Sequence, residues 1–239
     1  MIDKHLTKLR LRDDINAEEE RAIRETIGGA VDYPAGHVLI PRGKEIDSST
    51  LLLDGLLARY KDLRGGQRQI TQLHVPGDFA DLHSFTLKKL DHSVMALTRV
   101  RVALAPHEKL KRITEQFPHL TRVFWFATNL DAAIHREWEL SLGRRSAIQR
   151  AAHLFCELRV RLGIVGLADD SGFALRITQL ELAECLGLTS VHVNRVMRQL
   201  REQGIADFRG GRVNILSWDA LQEIGEFDPL YLYLEKRPR

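Results

Sequence analysis

The sequence predicts an α+β chain: a β-roll in the N-terminal half, one long helix, and a C-terminal unit of two short helices and a β-hairpin. Three observations predict it. From Val31 to about Ala105, short β-type segments alternate with glycine turns spaced roughly every 8–12 residues. From Pro118 the apolar positions step by three and four through Ile134. Between Ile177 and Gln203, a helix start, a glycine break and a second helix start follow in close order. The domains expected are therefore residues 1–117, a helix and hinge at 118–145, and residues 146–239.

In order, Ala17–Ile27 is an acidic-to-basic helix. His37–Ile40 precedes the Pro41-Arg42-Gly43 turn, and the next apolar run turns at Asp54-Gly55. Arg64–Arg68 is a hairpin tip, and the alternating strand after it ends at Pro76-Gly77-Asp78. A last pair of strands meets around Thr98-Arg99, giving about eight short strands and a jelly-roll-like, double-stranded β-helix domain. His107 to Thr114 is a short helix. In the long helix that follows, Leu120, Val123, Ala127, Leu130 and Ile134 form an a/d seam, with aromatic residues widening the apolar surface. A helix apolar on more than one face needs a second burial site, and a second copy of the chain is the simplest one, so these five residues are the expected dimer contacts. Gly143–Ser146 breaks the helix, Ala147–Leu162 is amphipathic, and Gly163–Gly172 reads as a loop.

Thr178 with Glu181 forms a capping box. Leu182 and Leu186 share one face, small Ala183 permits close helix approach, and Gly187 supplies a sharp reversal. Thr189 caps a second helix whose inward face is Val193, Val196 and Leu200. This is the helix-turn-helix layout, although two ordinary packed helices give the same apolar spacing. After Gly204, a strand at Ile205–Phe208, the Arg209–Arg212 turn and a strand from Val213 add a wing. Five arginines (Arg195, Arg198, Arg201, Arg209 and Arg212) face only Glu202 and Asp207 between Thr189 and Ile215. The chain as a whole carries +3, so positive charge is concentrated here, as in a duplex-DNA binder. Ser217 caps a last helix, and the tail after Pro229 is aromatic, then basic.

Composition bounds the function classes. With 239 residues, 44% hydrophobic and 28% charged, the chain is an ordinary globular protein of about two domains. No apolar run reaches the roughly 18 residues of a membrane span, and the N-terminus has no apolar signal core. The two cysteines, Cys156 and Cys185, have neither disulfide nor metal spacing, which fits the cytoplasm. No metal site is expected. A metal enzyme on a cupin-like roll, or a ligand-binding module without DNA function, is the alternative reading, but the H-x-H grouping, phosphate loops and nucleophile elbows are missing.

The order of roll, long helix, hinge and winged helix-turn-helix resembles the Crp/Fnr family of bacterial transcription regulators over almost the whole chain. The most specific segments are Thr178–Ile205 and Val75–Phe79, the latter similar to the family's glycine-aspartate-phenylalanine turn before its ligand pocket. The resemblance implies a homodimer on a palindromic double-stranded operator, with RNA polymerase as a further partner if the protein activates. Arg195 falls where members direct an arginine at guanine, the strongest single base contact. Ser190 and Val191 depart from the charged residues many members carry, and Val191 can only pack on a thymine methyl. His192 and Asn194 add polar contacts. Thr189, Arg198, Arg201 and Arg212 complete the expected DNA-binding set, Arg198 and Arg201 through phosphates.

The same resemblance places an effector pocket at Asp78, Asp81, His83, His92 and Ser93. Cyclic-nucleotide-binding members have a glutamate and later an arginine-serine pair; here Asp81 is shorter and one residue early, and the pair is His92-Ser93. Neutral histidine does not replace the guanidinium fork, so cyclic AMP is disfavoured. An iron–sulfur cluster needs several thiolates, and the roll contains no cysteine. Haem would need axial ligands among His74, His83, His92, His107, His119 and His135, and strand spacing accounts for the nine-residue interval of the first three. The effector is left unidentified.

Overall fold

The computed structural model describes Met1–Arg239. Helices α1 (Asp3–Arg12) and α2 (Ala17–Thr26) precede seven strands: β1 (Ala30–Tyr33), β2 (Val38–Ile40), β3 (Ser48–Asp54), β4 (Leu57–Asp62), β5 (Arg68–His74), β6 (Ser93–Ala96) and β7 (Val100–Pro106). A one-turn helix, α3 (Ser84–Leu87), lies between β5 and β6. The strands pair as two sheets, β1-β7-β3 and β2-β6-β4-β5. The sequence suggested about eight strands. The segment after β5 makes only a single bridge, Leu51 to Phe79, because Pro76 and Gly77 interrupt any ladder.

Strand β3 explains how the roll is layered. Consecutive side chains point to opposite faces. Leu51 enters a core shared with α1, α2, α4 (His107–Gln116) and the start of α5 (Pro118–Arg144), whereas Leu52 enters the core between the sheets with Ile40, Leu57, Val94 and Val102. Both faces of this strand are covered, which is why it reads as a continuous apolar run. Helix α1 was not expected from its lysine- and arginine-rich sequence. Its signal is Ile2, Leu6 and Leu9, one turn apart and all buried.

The long helix corrects the expected dimer seam. Leu120 and Val123 are buried in the core under β3, and Ile134 is buried as well, so these three are spent within their own chain. Ala127 packs partly on that core and Leu130 is half-buried. Among the residues α5 leaves outward are Trp125 (68% exposed), Asn129, Ala132, Arg136 and Leu140 (48% exposed). Apolar spacing alone does not tell which of two apolar faces a domain takes for itself.

Two units result, and neither is the isolated helix expected at 118–145. The first comprises residues 1–60, 73–133 and 232–239; the second comprises 61–72 and 134–231. The second unit is built from α6 (Ala147–Gly163), β8 (Ala168–Asp169), β9 (Gly172–Ala174), α7 (Gln179–Leu186), α8 (Ser190–Glu202), β10 (Ala206–Arg209), β11 (Arg212–Ile215) and α9 (Trp218–Gly225). The expected loop at Gly163–Gly172 holds β8, and the wing is a four-stranded sheet in the order β10-β11-β9-β8. The tip of the β4–β5 hairpin also belongs here, with Gln69 Nε2 donating to the carbonyl of Glu184 (2.6 Å). In the core of this unit the fully buried Glu157 accepts from Trp138 Nε1 (3.1 Å), Arg161 (2.7 Å) and Tyr231 Oη (3.0 Å). No helix is long and apolar enough to cross a membrane.

Candidate nucleic-acid interface

Helix α7 begins as the sequence requires: Thr178 Oγ1 accepts from Glu181 N (3.1 Å), and the Glu181 carboxylate accepts from Thr178 N (2.6 Å). It stops at Gly187, whose φ of +62° is left-handed. A Cβ there would lie 3.0 Å from Leu142 Cδ2, so a side chain would be strained by backbone and neighbour alike. Thr189 then caps α8 by accepting from His192 N (3.3 Å). Val193, Val196, Met197 and Leu200 are buried, which fixes the rotation of α8 about its axis.

That rotation decides what faces outward. Val191 (74% exposed), Asn194, Arg195 and Arg198 are exposed; Ser190, His192 and Arg201 are half-buried. Arg195 makes no ion pair. Arg198 lies 3.8 Å from Glu202, and Arg201 lies 3.4 Å from Asp207. Arg212 is not free at the wing tip: it donates to Ser171 Oγ (2.9 Å) and Asn214 Oδ1 (3.2 Å), and so holds β11 to the β8–β9 turn.

Two residues outside the expected set join the surface. Arg209, exposed at the wing turn, pairs with Asp207 (3.3 Å) and lines a groove with Val191, Asn194, Arg195 and Arg198. Gln179, in the first turn of α7, donates to Asn194 Oδ1 and so ties the two helices together. The Arg209–Arg212 turn contained the first signal; the second is a contact between helices that no local pattern carries.

The expected effector residues fall in separate places. Asp78 accepts from Val75 N (2.9 Å) and pairs with Lys8 of α1 (2.5 Å). Asp81 is fully buried, accepting from Thr50 N (2.5 Å) and Ser84 Oγ (3.2 Å), and burial pushes its carboxyl up to about 7. Ser93 Oγ accepts from Arg42 N (3.0 Å) at the β2 end. Only His83 and His92 meet, with ring centroids 5.6 Å apart. Burial, helped by Arg59, pushes His83 down to about 4 and lowers His92. The polar centre beside them was not foreseen. Arg59, buried on β4, forms a two-pronged pair with Asp131 of α5 (3.0 and 3.4 Å) and donates to the Ala80 carbonyl (2.8 Å). The roll thus holds a fixed positive charge, supplied by β4 and already matched by a carboxylate of its own chain.

The other candidate haem histidines are differently engaged: His107 Nε2 lies within 3.3 Å of both Ser49 Oγ and Ser84 Oγ, and His119 lies between Glu19 (2.6 Å) and Asp13 (3.1 Å). His135 is exposed and His74 is buried. Both cysteines are buried in the second unit, which pushes the Cys156 thiol up to about 12 and raises that of Cys185.

Residues 30–117 match the cyclic nucleotide-binding domain, and residues 149–224 match the Crp-like helix-turn-helix domain. The nitrogen fixation regulation protein FixK of Bradyrhizobium diazoefficiens is 30% identical over 193 residues, covering 78% of this chain and 78% of that protein. The chain belongs to the Crp/Fnr family. Within that family, the transcriptional activator protein FnrL of Cereibacter sphaeroides is 29% identical over 87% of this chain and 85% of its own length. The solved structure of FixK2 from Bradyrhizobium japonicum shares the fold, with a TM-score of 0.75 and 24% identity over 82% of this chain and 96% of that one. Like the other Crp/Fnr members, the chain is a DNA-binding transcription regulator with a cyclic-nucleotide-binding-like domain and a winged helix-turn-helix.

Proposed function

We propose that two copies of this chain bind a dimer-symmetric duplex operator, each laying Ser190–Arg198 along a major groove. The observation that carries this reading is Arg195: exposed, without an ion pair, and presented by a capped helix whose opposite face is buried. Arg195 pairs with guanine O6 and N7, Val191 packs on a thymine methyl, and Ser190, His192 and Asn194 supply further polar contacts in the groove. Arg198, Arg201 and the wing residue Arg209 meet phosphates, while Arg212 acts through the wing it braces. Thr189 brings the α8 N-terminus, with its partial positive charge, toward the backbone.

The dimer contact is the outward face of α5, around Trp125, Ala132 and Leu140, with Ala127 and Leu130 at its margin. Support comes from the exposure of two large apolar side chains on a 27-residue helix. The protein acts in the cytoplasm and, since relatives bear the name of transcriptional activators, contacts RNA polymerase when bound. Its roll does not take cyclic AMP, because the Arg59 guanidinium already has a carboxylate partner. It does not hold an iron–sulfur cluster, because its only thiols are buried in the other unit.

Selection of bound duplexes from a random pool tests the reading. Enrichment of inverted half-sites centred about one helical turn apart, each with a guanine at one fixed position, is expected. A pool that stays random, with retention independent of salt, overturns it.

A further inference from the structure

Outside their buried contact, the two helices of the helix-turn-helix meet through a pair of side-chain amides. Gln179 is the first residue of α7, directly after the Thr178 cap, and Asn194 is the fifth residue of α8. Gln179 Nε2 donates to Asn194 Oδ1, and these two side chains hydrogen-bond to nothing else in the chain. Both residues are exposed, and both line the groove that holds Val191, Arg195, Arg198 and Arg209. Asn194 lies one turn from Val191 and one turn from Arg198, so it shares the reading face with them.

The backbone beneath the pair is held by other contacts. Thr178 and Glu181 close the capping box at the start of α7, and Leu182, Ala183 and Leu186 are buried on its inner face. Val193, Val196, Met197 and Leu200 fix α8 in the same way. What the hydrogen bond between the amides adds is direction. A primary amide donates at one end and accepts at the other, and an unrestrained asparagine presents either end by turning about its last bond. Turning Asn194 alone would set its NH2 against the NH2 of Gln179. The carbonyl oxygen is thus held toward α7, and the Nδ2 hydrogens are the end without a partner.

We infer that Gln179 is a specificity-determining residue: by holding the Asn194 carbonyl toward α7, it makes Asn194 a hydrogen-bond donor to the operator and so selects guanine or thymine at the base Asn194 meets. Those bases show the keto oxygens O6 and O4 in the major groove, where adenine and cytosine show the amino groups N6 and N4. An unrestrained asparagine favours adenine, because its oxygen accepts from N6 while its nitrogen donates to N7. With the oxygen turned to α7, that two-point pair is lost. Gln179 itself touches no base and acts through Asn194. The inference rests on the reading of α8 as the helix that enters the groove, and it adds what one residue of that helix selects.

Selection of bound duplexes from a random pool, run on the full chain and its variants, tests this. Asn194→Ala identifies the base pair, as the one position whose preference flattens while the guanine assigned to Arg195 stays. There the wild type should favour guanine or thymine about fivefold over adenine or cytosine, the worth of one hydrogen bond. Gln179→Glu offers Asn194 an acceptor only, so the amide turns over and the preference should pass to adenine or cytosine. Gln179→Leu frees the amide, and adenine should gain. Position 179 is exposed, so neither variant disturbs the core. A new negative charge weakens binding to every duplex alike, whereas the ratio among bases at one position moves only if Asn194 turns. Adding Asn194→Ala to Gln179→Glu should abolish the swap. An unchanged preference at that position in Gln179→Glu overturns the inference. So does a wild-type preference for adenine or cytosine there, or an Asn194→Ala pool that keeps every wild-type preference. A wild-type pool that stays random is a different failure: it overturns the operator reading itself.

Discussion

Removing Asp131 leaves a guanidinium stranded inside the roll. The Arg59 side chain is only 7% exposed and its two-pronged partner is the Asp131 carboxylate, itself 23% exposed. Breaking a fully buried ion pair by deleting one partner costs roughly 3–5 kcal/mol, because the remaining charge keeps its desolvation penalty. Asp131 retains some water, and Arg59 keeps its bond to the Ala80 carbonyl, so Asp131→Ala should cost about 2–3 kcal/mol. For a chain of this size that lowers the melting temperature by about 5–10 °C. Replacing both partners with apolar residues of similar volume, Arg59→Met with Asp131→Leu, should recover most of the loss. Urea melts of wild type, both single variants and the double variant form the cycle. If Asp131→Leu costs the same in the Arg59→Met background as in wild type, the pair carries no coupling and the account of a self-matched charge in the roll is wrong.

Other consequences can be measured in parallel. Arg195→Ala should lose about 1–3 kcal/mol on the selected operator and relax preference at one base pair, read by gel shift; equal loss on every sequence would make it a phosphate contact. Asp81, raised to about 7 by burial, holds its proton in the fold and releases it when unfolded. Stability from this group is therefore present at low pH and lost as pH climbs from about 4 toward 7; urea melts of Asp81→Asn should lack this decline relative to wild type. Gly172→Ala should destabilise the wing by at least ~3 kcal/mol, since φ is +133° and a Cβ would sit 1.9 Å from the Val213 carbonyl oxygen; chemical shifts of the β9–β11 pair report it. Trp125→Glu with Leu140→Glu should yield monomers by sedimentation, and an unaltered dimer would place the contact elsewhere.

The helix-turn-helix was legible because everything that defines it is local. A capping box spans three residues, a left-handed glycine needs no partner to be recognised, and the 3.6-residue period of α8 names its inner face. The roll's strands were legible for the same reason, through turn chemistry at Gly43, Gly55 and Gly66. Its interior was not. Arg59 and Asp131 stand 72 positions apart, one on a strand and one on a helix, and neither residue type is unusual where it stands. Asp78, Asp81 and Ser93 were grouped as one pocket by the family resemblance, yet each is taken up by a different partner: Asp78 by Val75 N and Lys8, Asp81 by Thr50 N and Ser84, and Ser93 by Arg42 N. The long helix misled differently: its periodicity was correctly read, but two apolar faces compete, and the roll's core claimed Leu120 and Val123. The tail was opaque because Arg12 and Leu232 meet across 220 positions.

The two buried thiols have a practical side. A sulfur held far from its thiolate form is a poor nucleophile, so peroxide or diamide should leave the folded protein unmodified. Cys185 sits buried in α7, lining a small cavity with Leu142 of α5 and Arg150 and Leu154 of α6, where no reagent reaches it until α7 parts from those helices. Its alkylation rate is therefore a clock for the rarest breathing motion of the reading head, and operator DNA, by clamping that motion, should slow the clock.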